Sequence, residues 1–262
     1  MRDGVTGDKA GGEWAAGAAA GAHGGGALAW TEELPERQRR QFERYYEMLV
    51  DWNQRMNLTG ITEKQEVYIK HFYDSVWIRE LPAWREVMKP GACAVDVGTG
   101  AGFPGLALAI CHSDCEFVLM DSLNKRVGFL QAVAAELGLS NVQVVHARAE
   151  DAGRDKAYRE RFDCVLSRAV ARLNVLMELM LPLVKVGGMA FAYKGPALDE
   201  ELAEAEGAIQ TLGGGVHRSV TFTLPQGAGT RTLLCVPKQR KTPAAYPRKA
   251  GVPQKSPLAP RG

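Results

Sequence analysis

The 262-residue sequence has no apolar run near the ~20 residues that a bilayer-spanning helix needs. Its first residues show neither the basic start nor the unbroken apolar run of a secretory leader. Cysteine is scarce and odd in number: Cys93, Cys111, Cys115, Cys164 and Cys235. Cys111-His112-Ser113-Asp114-Cys115 has half of a zinc spacing but no second pair to complete it, so no metal site is expected. Scattered thiols fit a reducing cytoplasm, and Cys93, Cys164 and Cys235 sit in apolar runs as small core side chains. No internal repeat is present, which excludes solenoids and propellers. Net charge is only +2, so total charge says little about partners. Its distribution says more. The segment from Lys238 to Gly262 has no acid and seven cations, which leaves about −5 for the rest of the chain (+2 less seven).

What is present centres on Ala92-Cys-Ala-Val-Asp-Val-Gly-Thr-Gly-Ala-Gly-Phe-Pro-Gly105. It reads as a short buried strand ending in an acid and a glycine-rich turn, with a helix starting near Leu106. Gly98, Gly100 and Gly102 let the backbone turn sharply and approach a ligand, and Pro104 suits a first helical turn. A second strand ends at Asp121, roughly 20 residues after the glycines, where an acid reaches ribose hydroxyls. A dinucleotide fold wants a glycine at the sixth position of the loop; this chain has Phe103 there, followed by Pro104. The loop better matches the Asp-x-Gly-x-Gly-x-Gly of S-adenosylmethionine-dependent methyltransferases, whose ligand carries no phosphate.

Residues 1–30 are Gly- and Ala-rich and read as a disordered extension. Residues 31–90 are expected to form an N-terminal helical cap: one helix from Pro35 to Asn57, and a second from Glu63 to about Glu80 behind a Thr62 capping box. Residues 91–237 then alternate strands and helices and close on an antiparallel pair, Val216–Thr223 and Thr230–Val236. That pattern predicts an α/β doubly wound, mostly parallel sheet. Residues 238–262 form a basic, proline-rich tail without helical or strand period, expected to be disordered or ordered by an anionic partner.

Asp121 is placed either to bind ribose or to cap the following helix. Arg148-Ala149-Glu150 follows the third strand, where an adenine would lie, although Glu150 equally suits a solvated loop. Ser167-Arg168-Ala169 ends the fourth strand; Arg168 is no base, but it fits a phosphate or a guanine edge. Arg172 lies one helical turn on, and Lys194 follows the fifth strand at the same rim.

Together with Asn57-Leu-Thr59, His71-Phe-Tyr-Asp74-Ser75, Asp121-Ser-Leu-Asn-Lys-Arg126 and Lys194-Gly195, these pieces resemble the RsmG/GidB family, bacterial 16S ribosomal RNA guanine-N7 methyltransferases. Lys241-Thr-Pro, Tyr246-Pro-Arg-Lys249 and Lys255-Ser-Pro257 are similar to the tails of its longer members. The resemblance implies a Rossmann-like class I methyltransferase with a seven-stranded sheet and an antiparallel C-terminal strand. It also implies S-adenosylmethionine as cofactor and a decoding-region guanosine of 16S rRNA, free or in the small ribosomal subunit, as substrate. Cofactor contacts then fall on Gly98, Phe103, Ala149, Glu150 and Arg168, to which the loop argument adds Asp96, Gly100 and Asp121. Asn57, His71 and Asp74 become candidates for stabilising the charge that guanine gains; helix capping and packing are their alternatives. Arg126, Arg148, Arg172, Lys194, Lys241, Arg248 and Lys249 would hold the RNA. A cytoplasmic monomer is expected. A methyltransferase acting on another RNA or a small molecule, and a non-enzymatic nucleotide- and RNA-binding module, are the competing readings.

Overall fold

The computed structural model describes residues 28–195 and 198–259. The Gly/Ala-rich head up to residue 27 lies outside the described residues.

A 3-10 turn, Ala29–Glu33, leads into α1 (Glu36–Asn53), whose buried face carries Phe42, Tyr45 and Leu49 at helical spacing. The chain leaves α1 at Asn53, earlier than the periodicity suggests, because the Asn53 carboxamide oxygen accepts the Leu58 and Thr59 N–H groups. The next helical segment, 64–80, is continuous but not uniform. It contains α2 (Lys64–Val67), a π-helical turn (Tyr68–Tyr73), α3 (Asp74–Val76) and a 3-10 end (Trp77–Glu80). Its N-cap is Glu63, not Thr62: the Glu63 carboxylate accepts the Glu66 N–H at 2.8 Å. The short α4 (Pro82–Val87) leads into the sheet.

The strands are β1 (Cys93–Val97), β2 (Glu116–Asp121), β3 (Val142–His146), β4 (Phe162–Arg168), β5 (Val184–Lys194), β6 (Arg218–Thr223) and β7 (Thr230–Pro237). Between them run α5 (Gly105–Cys111), α6 (Asn124–Glu136), α7 (Ala149–Ala152), α8 (Leu173–Met180) and α9 (Asp199–Thr211). The seven strands form one sheet in the order β3-β2-β1-β4-β5-β7-β6. β1 to β5 are parallel; β7 runs antiparallel between β5 and β6. The antiparallel strand is thus the penultimate one in space, and the edge strand β6 again points with the parallel set.

Strand alternation divides the core. Val95, Val165 and Ala190 face one layer with α8 and α9, while Ala94, Cys164, Leu166 and Phe191 face the other. The N-terminal helices cover that second side. Phe42, Tyr45, Phe72, Leu106, Phe129 and Leu130 share one cluster, and Trp52 packs on Phe129 with ring centres 5.5 Å apart. Strand order reverses between β1 and β4, which opens a crevice at their carboxyl ends.

The basic tail differs from expectation: it is ordered against the domain itself. Lys238 is buried, and its ammonium donates to the Leu181 carbonyl and to the Thr242 hydroxyl. The Arg159 guanidinium collects the Thr242 and Tyr246 carbonyls, both at 2.7 Å. The tail closes with α10 (Val252–Lys255). Composition alone hides this, because the partners lie some 80 residues away in sequence, at Arg159 and Glu160.

Candidate active site

The crevice between β1 and β4 is built from the glycine loop outward. Gly98 and Thr99 both donate their N–H to the Met120 carbonyl, which folds the loop back over the end of β2. Gly98 and Gly100 have φ of +68° and +61°, and Gly102 has +99°, all in the region that favours glycine. Two acids fix the loop. Asp96 Oδ2 accepts the Thr99 hydroxyl at 2.6 Å and the Gly105 N–H at 2.8 Å. Asp121 Oδ2 accepts the Gly100 N–H, and its Oδ1 the Leu123 N–H, both at 2.9 Å. Asp121 is therefore a loop acid and not the N-cap of α6, a place taken by Leu123. Both acids are buried. Burial pushes the Asp96 carboxyl up to about 6, against the pull of those two hydrogen bonds, and its Oδ1 has no partner.

Phe103, which replaces the dinucleotide glycine, is the contact between loop and cap. It is buried and stacks on His71 with ring centres 4.6 Å apart, and on Tyr45 at 5.4 Å. The Tyr45 hydroxyl donates to the Ala101 carbonyl, so α1 braces the loop directly. The Arg168 guanidinium lies 5.0 Å from the centre of the Phe103 ring. Arg168 thus reaches from the end of β4 across the crevice to the helical cap. Its Nη1 donates to Asp74 Oδ2 at 3.1 Å, and its Nη2 lies 3.4 Å from His71 Nδ1.

His71 sits in the π-helical turn, where the widened spacing aims its ring at Phe103. Its Nε2 is 2.8 Å from the Thr59 hydroxyl. Burial, then the Arg168 charge, lower its pKa to about 3, so the ring is neutral at physiological pH. Asp74 is buried between two cations: Arg168 and, from β7, Arg231, whose Nε is 3.3 Å from Asp74 Oδ2. Burial raises the Asp74 pKa, and the two guanidinium groups oppose that rise. Asp74 Oδ1 has no partner.

Four site residues are not apparent from sequence reasoning: Tyr45, Thr59, Arg231 and Tyr193, whose hydroxyl donates to the Ser75 carbonyl. Thr59 is in a quoted motif, but Arg231 lies in a plain strand sequence, and only the antiparallel insertion of β7 brings it to the rim.

The remaining candidates separate by position. Arg148 precedes α7 and is exposed; Ala149 is buried; Glu150 is half-buried and accepts the Gly251 N–H at 2.9 Å. Arg126 is half-buried, 3.5 Å from Asp121 Oδ2. Asn57 is exposed, and no hydrogen bond of its side chain occurs among the described residues. Lys241 and Lys249 are exposed. Arg172 pairs with Glu204 at 2.8 Å, both well exposed. Two cations point inward. Lys194 donates to the Ala171 carbonyl and to Glu201, and Arg248 forms a forked pair with the fully buried Glu178, the shorter bond being 2.6 Å. His112, Asp114 and Cys115 bring ligand atoms within 4.8 Å of one another, but Trp84 Nε1 already donates to His112 Nε2 and Cys115 Sγ to the Lys89 carbonyl.

A seven-stranded sheet of this order, with an acid-and-glycine loop at its switch point and a second acid after β2, defines a Rossmann-like class I methyltransferase. The family described as rRNA small subunit methyltransferase G matches residues 38–229, and the chain belongs to it. It is 52% identical over 225 residues to the ribosomal RNA small subunit methyltransferase G of Brevibacillus brevis, covering 86% of this chain and 93% of that one. The protein of the same name from Geobacillus kaustophilus is 51% identical over 225 residues, with the same coverage. Among solved structures, MtNAS in complex with MTA and tNA matches with a TM-score of 0.50 at 14% identity, over 78% of this chain and 74% of that one, a likeness of fold alone. The chain is a ribosomal RNA methyltransferase whose cofactor is S-adenosylmethionine. No described helix is long and apolar enough to cross a membrane.

The residues present fit that cofactor. Asp96 Oδ1 is a buried acceptor without a partner, suited to a cationic amino group. The loop backbone is uncovered at Gly100, where a Cβ would have nothing nearer than the Gly98 carbonyl at 4.0 Å, while Gly98 packs under Val170, whose Cγ2 would lie 2.7 Å from a Cβ there.

Proposed function

We propose that this chain transfers the methyl group of S-adenosylmethionine to N7 of a guanosine in the decoding-region loop of 16S rRNA. The observation that carries this reading is the place of Arg168. It ends the strand beside the switch point, and Phe103, His71 and Asp74 hold its guanidinium. There it is set to donate to O6 of the guanine, which leaves the N7 lone pair free to take the methyl.

Guanine N7 presents an in-plane lone pair and no proton, so its attack on the sulfonium methyl needs no general base. The crevice agrees with that requirement. His71 is neutral and turned to Thr59, and Asp74 is held between two guanidinium groups. The residues act by positioning and electrostatics. Gly98, Gly100, Phe103 and Asp96 hold the amino-acid end of the cofactor, Asp121 the ribose, and Ala149 with Glu150 the adenine. As N7 is alkylated the base gains positive charge. The Asp74 carboxylate lies one guanidinium away, and the exposed Asn57 amide is free to approach.

Of the proposed RNA contacts, Arg126, Arg148, Lys241 and Lys249 remain available to phosphates. Arg172 joins them, because an exposed pair such as Arg172–Glu204 is worth only about 0–1 kcal/mol. Lys194 and Arg248 serve internal pairs instead. Arg231 is likewise engaged internally, at Asp74.

The test is transfer of labelled methyl from S-adenosylmethionine. Label in 16S rRNA or in small subunits supports the reading. Label confined to small metabolites favours the small-molecule alternative, and cofactor binding with no transfer to any acceptor favours the binding module.

A further inference from the structure

The C-terminal strap has two faces of different character. Its inward groups are bound to the domain: Lys238 at Leu181 and Thr242, the Arg248 guanidinium and N–H at Glu178, and Pro247 against Gly153. Glu178 is fully buried, so its forked pairing with Arg248 is a fixed point and not a surface contact. Three residues past this anchor, the chain turns through Gly251, at φ +79°, and its N–H donates to Glu150 Oε1 at 2.9 Å. Glu150 stands in α7, the single turn of helix directly after β3 at the carboxyl edge of the sheet. No other hydrogen bond or ion pair of the Glu150 side chain occurs among the described residues.

We propose that the strap is a positioning element of the cofactor site: the Arg248–Glu178 anchor sets the course of residues 248–251, and the Gly251 N–H then fixes Glu150. This rests on the reading above that Ala149 and Glu150 hold the adenine end. A half-buried glutamate with three side-chain torsions loses ordering entropy when it binds a ligand. Holding its carboxylate from the side before the cofactor arrives removes that cost. Gly251 acts through Glu150 and touches neither cofactor nor RNA.

The experiment measures S-adenosylhomocysteine affinity by calorimetry in the absence of RNA, for the full chain, a chain ending at Ala250, Glu150→Ala, and both changes together. Loss of the pre-ordering of one glutamate side chain predicts about tenfold weaker binding for the shortened chain. The shortening acts through Glu150, so it should add nothing on the Glu150→Ala background, a non-additivity that general loosening of the fold would not give. Glu150→Gln, which still accepts the Gly251 N–H, should keep the sensitivity to shortening. Lys255→Ala combined with Arg261→Ala controls for the two charges that the shortened chain also loses, and should bind as the full chain does. Unchanged affinity on shortening overturns the proposal, and so does additivity with Glu150→Ala. Failure of the reading beneath it looks different: Glu150→Ala alone would then leave affinity unchanged.

Discussion

Gly102→Ala tests whether the helical cap braces the glycine loop. A Cβ at Gly102 would sit 2.4 Å from the Tyr45 hydroxyl and 2.9 Å from Leu106 Cβ, on a backbone with φ +99°. The backbone alone costs an L-residue about 1–2 kcal/mol. Displacing the buried Tyr45 hydroxyl from the Ala101 carbonyl costs a further ~1–3 kcal/mol. The sum, about 2–5 kcal/mol, lowers the melting temperature by roughly 5–15 °C in a domain of this size. The assay is calorimetric unfolding of Gly102→Ala, Tyr45→Phe and the double variant, without cofactor. Removing the hydroxyl gives the new methyl room, so on the Tyr45→Phe background Gly102→Ala should cost only the backbone and Leu106 terms. A coupling of about 1–3 kcal/mol is therefore expected. Strict additivity would refute the brace, because Tyr45 and Gly102 would then not share a contact.

Arg168→Ala removes one of two cations from the buried Asp74, leaves Arg231 paired with it, and should destabilise the fold by about 1–3 kcal/mol. Asp74→Asn in the same chain should recover much of that stability without restoring methyl transfer; recovered transfer would make Arg168 purely structural. Cofactor affinity should be pH-dependent through Asp96. The free-state carboxyl titrates near 6, and a cationic amino group favours its ionised form, so affinity falls as pH drops below about 6, approaching tenfold per unit. Asp96→Asn should flatten that profile, and a profile unchanged by the substitution would remove Asp96 from the amino-group site. Lys238 is lowered to about 8 by burial, so the folded chain releases that proton before the unfolded chain does. Between about pH 8 and the ordinary lysine value this group makes stability rise with pH, and Lys238→Met should abolish that rise in denaturant titrations. Replacing the exposed Lys241, Lys249 and Lys255 by Ala, with the internal anchors of the strap kept, should weaken RNA affinity and flatten its salt slope; an unchanged slope would make the strap inert toward RNA.

The parts written in local sequence were legible. The short buried apolar runs at Ala94–Val97 and Phe117–Met120, the acid in or at the end of each strand and the glycines between them announce the sheet and its switch point. Phe103 in place of a glycine separates this loop from a dinucleotide cradle, and the structure gives that residue a further task, stacking between Tyr45 and His71. What was not legible depends on distant partners. Arg248 reads as one more cation of a basic tail until Glu178, 70 residues away, claims it. Lys238 reads as one more residue of the basic tail until the fold buries it, and nothing in the strand sequence marks Arg231 until β7 enters between β5 and β6. The π-helical turn at Tyr68–Tyr73 leaves no trace in hydrophobic spacing, yet it sets the direction of His71.

The central claim, methyl transfer to guanine N7, is tested most directly by mapping 7-methylguanosine in 16S rRNA by aniline cleavage. Small subunits from cells lacking this protein are compared before and after incubation with it and S-adenosylmethionine. The account predicts one new cleavage, in the decoding-region loop, absent with Arg168→Ala. A methyl group on another atom or in another RNA segment, or no new cleavage from active protein, would contradict it.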